Sequence, residues 1–121
     1  MVIQLLNPQE LEVYYILPAL RRELAKAMKK LGRSQKEIAG NLGVTESAVS
    51  QYIHQKRATD VDFTKDMQKE IADYASQITG RNDFLKVTQQ LIRKIRGNRF
   101  ICDVCRNQNK SMPKACSMCY E

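Results

Sequence analysis

Residues 34–57 read SQKEIAGNLGVTESAVSQYIHQKR, and this stretch decides the fold. It reads as two short helices around a tight turn. Ser34 can cap the first helix by accepting a backbone N–H that has no partner within the helix. Glu37, three residues on, can accept the N–H of Ser34 itself, which makes a capping box. Ile38, Ala39 and Leu42 form the buried side of this helix. Gly43 ends it at a position that needs positive φ, where a side chain is resisted. Val44 packs under the turn, Thr45 caps the second helix, and Ala48, Val49, Tyr52 and Ile53 supply its inner face.

So short a turn cannot bring the helices antiparallel. They must cross steeply, which is helix-turn-helix geometry. Glu46, Ser47, Ser50, Gln51 and His54 are left on the outside of the second helix. These short or forked hydrogen-bonding side chains suit base edges in a major groove. A plain helical hairpin meeting only water would more often show Lys and Glu in i,i+4 pairs.

The spacing of Ser34-Gln35, Ile38-Ala39, Gly43-Val44-Thr45, Val49-Ser50 and Tyr52 resembles the helix-turn-helix of λ-repressor/Cro-like (XRE) transcriptional regulators. The resemblance implies a five-helix fold over about residues 15 to 96. It implies that Gln35, opening the first helix, binds a DNA phosphate, and that Glu46, Ser47, Ser50 and Gln51 read bases. It also implies that His54 contacts the sugar–phosphate backbone. Thr45 and Arg57, at the two ends of the second helix, complete the candidate DNA-binding set.

The rest of the 121 residues agrees with that centre. Five Gly, three Pro and 43% hydrophobic residues leave little room for the turns of an all-β fold, so the expected class is all-α. The expected architecture is a λ-repressor-like bundle with an extra N-terminal helix and a C-terminal four-cysteine knuckle. The helical DNA-binding domain is placed at residues 1–97 and the knuckle at 98–121. A net charge of +7 favours a polyanionic partner. No apolar run approaches a bilayer span, and MVIQLL is too short for a secretory signal, so the expectation is a cytoplasmic protein with no membrane partner.

Asn7-Pro8-Gln9-Glu10 starts a helix, with Asn7 as cap and Glu10 completing a capping box. Pro18 either kinks this helix or opens a second one, and a short entry helix with a break near Leu17 is the favoured reading. Leu17, Leu20, Leu24, Met28 and Leu31 recur at half-buried helical spacing, and Gly32 ends that helix. Arg21, Arg22, Lys26, Lys29 and Lys30 lie on its other sides, as a solvated basic face or as ligands for flanking phosphates. Another helix is expected to start at Thr59-Asp60-Val61-Asp62, bury Phe63, Met67, Ile71, Tyr74 and Ile78, and stop at Thr79-Gly80. Asn82 or Asp83 caps a last helix with Phe84, Val87, Leu91 and Ile95 inward and Gly97 at its end. Leu85, Thr88 and Ile92 form a second apolar strip that can bury a dimer partner, the N-terminal helix or the tail.

All four cysteines fall at the C-terminal end, as Cys102-Asp-Val-Cys105 and Cys116-Ser-Met-Cys119. Two C-x-x-C pairs can close a tetrahedron of thiolates around Zn²⁺, or hold an iron–sulfur cluster that would make the protein a redox sensor. Arg106 and Tyr120 stand where zinc ribbons often place glycine. Exposed disulfides or a metal-free tail are the remaining alternatives. An XRE-type domain joined to such a tail resembles a group of small archaeal regulators. The functional expectation is therefore a sequence-specific regulator bound to double-stranded DNA, as a homodimer. Its rivals are a protein-interaction adaptor on the same scaffold and a C-x-x-C oxidoreductase. An enzyme is not expected, since no acid or histidine cluster accompanies the cysteines.

Overall fold

Hydrophobic residues at three- and four-residue spacing build the central helix, α2 (Leu17–Lys30), in which Leu20, Leu24 and Met28 are wholly buried. Each such side chain contributes about 1.5–3 kcal/mol by leaving water. The computed structural model describes residues 7–54, 61–97 and 100. Among the described residues every regular element is helical: α1 (Pro8–Leu11), a π-helical turn (Glu12–Ile16), α2, α3 (Gln35–Leu42), α4 (Glu46–Ile53), α5 (Lys65–Ala75) and α6 (Arg81–Gly97). The all-α expectation holds. Helix α2 packs on α3, α4 and α5, and α6 lies across α3 and α5. One core cluster joins Ile38, Val49, Ile71, Ile78 and Leu91 to the α2 stripe.

The expected break at Leu17 does not occur. The chain stays helical, with αR backbone at Ile16 and Leu17, and the N–H of Leu17 reaches five residues back to the carbonyl of Glu12. Pro18 has no N–H to give and its ring would strike the Tyr14 carbonyl in a regular α-helix. Slipping to the wider five-residue register just upstream removes that conflict without ending the helix. At the front, Glu10 accepts the Asn7 N–H at 3.1 Å, one half of the predicted capping box.

Several boundaries differ from expectation for reasons lying far off in sequence. Leu31 is 53% exposed, because it is the C-cap of α2, where the chain turns away through Gly32 at φ +91°. Leu17 is half-buried. Helix α5 begins at Lys65 under a Thr64 cap, whose Oγ1 accepts the Met67 N–H at 3.2 Å. The predicted start at Thr59-Asp60 falls outside the described residues, and Val61–Asp62 is not helical. Val61 and Phe63 are buried on alternate positions, and the Val61 carbonyl accepts a bond from Arg22 Nη1 at 2.8 Å, which takes it out of helical use. Helix α5 ends at Ala75, short of Thr79-Gly80.

Neither Asn82 nor Asp83 is the cap of α6. The Gly80 carbonyl accepts the Phe84 N–H, so the helix opens at Arg81. The Asp83 carboxylate reaches back from inside it to the Thr79 hydroxyl at 2.6 Å and the Thr79 N–H at 3.1 Å. Phe84, Val87, Leu91 and Ile95 face inward as expected. Of the second strip, Thr88 and Ile92 are buried within the chain and Leu85 is exposed.

Val61 and Phe63, ahead of α5, are clamped on several sides. Beside the Arg22 bond, Gln68 Nε2 donates to the Phe63 carbonyl at 2.9 Å, and the Phe63 ring stacks on Phe100 with centroids 5.3 Å apart. Phe100 is the last described residue, so the four cysteines lie outside the described residues.

Candidate nucleic-acid interface

Three residues, Gly43 to Thr45, separate α3 from α4. Ser34 is extended (φ −74°, ψ 157°), and its Oγ accepts the Glu37 N–H at 3.1 Å. Among the described residues the reciprocal bond from the Ser34 N–H to Glu37 is not formed. Gly43 is left-handed (φ +70°, ψ 34°), and the Val44 N–H returns to the Ala39 carbonyl at 3.0 Å. Thr45 is extended, and its Oγ1 accepts the Ala48 N–H at 3.0 Å. A cap, a left-handed glycine and a second cap thus set the crossing within twelve residues, with small Ala39 buried between the helices.

Burial sorts the second helix into two faces. Ala48, Val49 and Tyr52 are buried and Ile53 is half-buried. Glu46, Ser47 and His54 are exposed, while Ser50 and Gln51 are half-buried on the same side. The exposed Thr45 uses its oxygen lone pair for the cap, which leaves its O–H proton able to donate outward. Gln35 is half-buried at the first position of α3, where the helix dipole favours an anion. Arg57 lies outside the described residues.

His54 closes α4 as its C-cap, with its backbone N–H on the Ser50 carbonyl at 3.0 Å. The ring also leans back on its own helix. Nδ1 lies 2.8 Å from the same carbonyl and 3.5 Å from the Ser50 hydroxyl.

Residues 24–65 match the helix-turn-helix family model. The matched stretch runs from the buried Leu24 through both crossing helices to the first residue of α5. Over that stretch the chain is similar to helix-turn-helix proteins. No curated protein and no solved structure matches the chain. Among the described residues no helix is long and apolar enough to cross a membrane.

One candidate phosphate ligand is corrected. Arg22 is 5% exposed, pairs with Glu23 at 3.0 Å and donates to Val61, so it holds that residue in place and is not available to DNA. Lys29 and Lys30 are exposed, and Arg21 and Lys26 are half-buried.

Sequence reasoning missed Arg81. Its guanidinium lies against Gly43, so that a Cβ at that glycine would overlap it. Nothing local in the sequence signalled it, since it fell between the expected stop at Thr79-Gly80 and the expected cap at Asn82 or Asp83, and its partner lies in the turn after α3. It likewise missed Arg33, whose Nη1 donates to the Ile78 carbonyl and ties the entry of α3 to the turn before α6.

Proposed function

We propose that the chain is a sequence-specific, DNA-binding transcriptional regulator in which α4 lies in a major groove. The observation that carries this reading is the division of α4 into a buried apolar face and an outward face of Glu46, Ser47, Ser50, Gln51 and His54. Glu46 suits a cytosine N4 amine, Gln51 an adenine edge, and the serines either. Gln35, Thr45 and His54 hold phosphates on either side, and Arg57 is assigned to the same role. Lys and Arg contacts supply much of the affinity, so binding falls steeply with added salt.

Selection from a random duplex library tests it. Convergence on one short motif, protected as a discrete footprint, is the expected result. Equal affinity for all sequences would overturn it and favour an adaptor role for the scaffold. The proposed bound state is a homodimer on two half-sites about one helical turn apart. A monomeric mass in sedimentation with DNA present would count against that.

The candidate metal ligands, by their paired C-x-x-C spacing, are Cys102, Cys105, Cys116 and Cys119. Two C-x-x-C pairs are a chemically complete set of four thiolates for Zn²⁺ or an iron–sulfur cluster. Such a group would order the tail. Protein purified without air decides between them: a colourless sample with one zinc per chain supports a structural role, and a brown one with iron and sulfide supports a sensor.

A further inference from the structure

Helices α2 and α5 meet along a groove of about 250 Å³ that the DNA-binding reading does not use. Its lining divides in two. Ala27, Leu31 and Ala72 make it apolar along one part, and the Leu31 side chain is exposed there. Lys26 and Lys30 add two ammonium groups one helical turn apart on the same side of α2, close enough to converge on one anion. Among the described residues neither lysine pairs with an acid. Glu23, the carboxylate in the lining, is already matched by buried Arg22: one of its oxygens takes Nε at 3.1 Å and Nη2 at 3.0 Å. Two positive charges are therefore left facing an apolar surface, which suits an anion with an apolar body. The volume lies just below the about 300–1,000 Å³ of drug-sized sites, so the molecule is a small one.

Two of the lining residues also hold the chain ahead of α5. Glu23 orients Arg22, whose Nη1 donates to the Val61 carbonyl at 2.8 Å. Gln68 Nε2 donates to the Phe63 carbonyl at 2.9 Å. A phosphate or carboxylate oxygen is a stronger acceptor than a neutral carbonyl, so an anion beside Gln68 competes for that N–H. We propose that the α2–α5 groove is an effector site: it takes a small molecule that joins a phosphate or carboxylate to an apolar body, and its occupancy loosens residues 61–63 and weakens DNA binding. The effect on DNA rests on the proposed function; the binding of the anion does not. No residue of α4 lines the groove, so the molecule and a duplex on the outward face of α4 need not compete for one surface. Helix α2 is the element common to both, since it packs against α5 and against α4.

The test is a titration of the full chain with phenyl phosphate, benzoate and inorganic phosphate at fixed ionic strength, followed by backbone amide resonances. Phenyl phosphate or benzoate is expected to give saturable shifts centred on Lys26, Lys30, Gln68 and Ala72, and the tighter of the two identifies the anionic group. Lys26→Gln combined with Lys30→Gln is expected to weaken that binding about tenfold. Shifts that never saturate, that persist unchanged in the double variant, or that inorganic phosphate produces as well, overturn the site. Duplex affinity is then measured with and without the tighter compound. A loss of about fivefold or more is expected with it. Gln68→Ala is expected to show a similar loss without it. Unchanged duplex affinity in both measurements overturns the effector role. Absence of duplex binding under every condition overturns the DNA reading and the effector role with it, while the titration still decides the anion site.

Discussion

Glu12 and Arg96 are joined at both ends of their charged groups: Nε lies 2.8 Å from one carboxylate oxygen and an Nη 2.9 Å from the other, across 84 residues of sequence. The carboxylate is the buried member and the guanidinium stays half in water. Arg96→Ala would leave a buried carboxylate without this partner. The expected loss is about 1–3 kcal/mol in urea denaturation, below the range for a fully buried pair because water already screens Arg96. Adding Glu12→Leu should recover most of it.

Gly43 carries two separable demands. Its φ of +70° strains any side chain, and Arg81 occupies the space a Cβ would need. Gly43→Ala is expected to cost about 1–3 kcal/mol in thermal or denaturant unfolding. Combining it with Arg81→Ala should remove the steric part and leave the backbone part. Full recovery in the double variant would show that the left-handed conformation is not strained by alanine.

The Thr79 hydroxyl, and after it the Thr79 N–H, hold the Asp83 carboxyl below the usual carboxylate range. A depressed folded value means that the contribution is fully present above the unfolded pKa. It is lost as pH falls through the folded one. The gap in melting temperature between the chain and Asp83→Asn should therefore be widest near neutral pH and close in strong acid. A gap that widens on acidification would contradict the assignment.

On the DNA-binding reading, Gln51→Ala should lose about 1–3 kcal/mol of discrimination at one base position while keeping most non-specific affinity. Binding titrations with the selected motif and its single-base variants check this. Unchanged preferences at every position would remove Gln51 from the reading set.

The helix-turn-helix was legible in the sequence because Ser34, Gly43 and Thr45 act on neighbours within a few residues. The inward faces of α4 and α6 were legible from their spacing alone. What sequence reasoning misplaced depends on partners far along the chain. Thr64 and not Thr59 opens α5 because Arg22, 39 residues away, takes the Val61 carbonyl. Arg22 looked like one more surface cation, since nothing near it in sequence marks it as buried. Leu31 fitted the α2 stripe by period but sits where the backbone is already leaving the helix. The outward residues of α4 could be named from the pattern. The pose of the His54 ring could not, because it is a choice of rotamer.

The extra residue wound into Glu12–Ile16 acts as a rotational offset. Residues 7–11, upstream of the turn, are swung by roughly one residue's angle, about 100°, relative to an unbroken α-helix. Leu11 and Glu12 are buried with that offset in place. Deleting one of residues 13–16 would re-aim Leu11 and Glu12 and is expected to strand Arg96 without its carboxylate. A proline that reads as an interruption thus goes with a turn whose Glu12 reaches the last helix at Arg96.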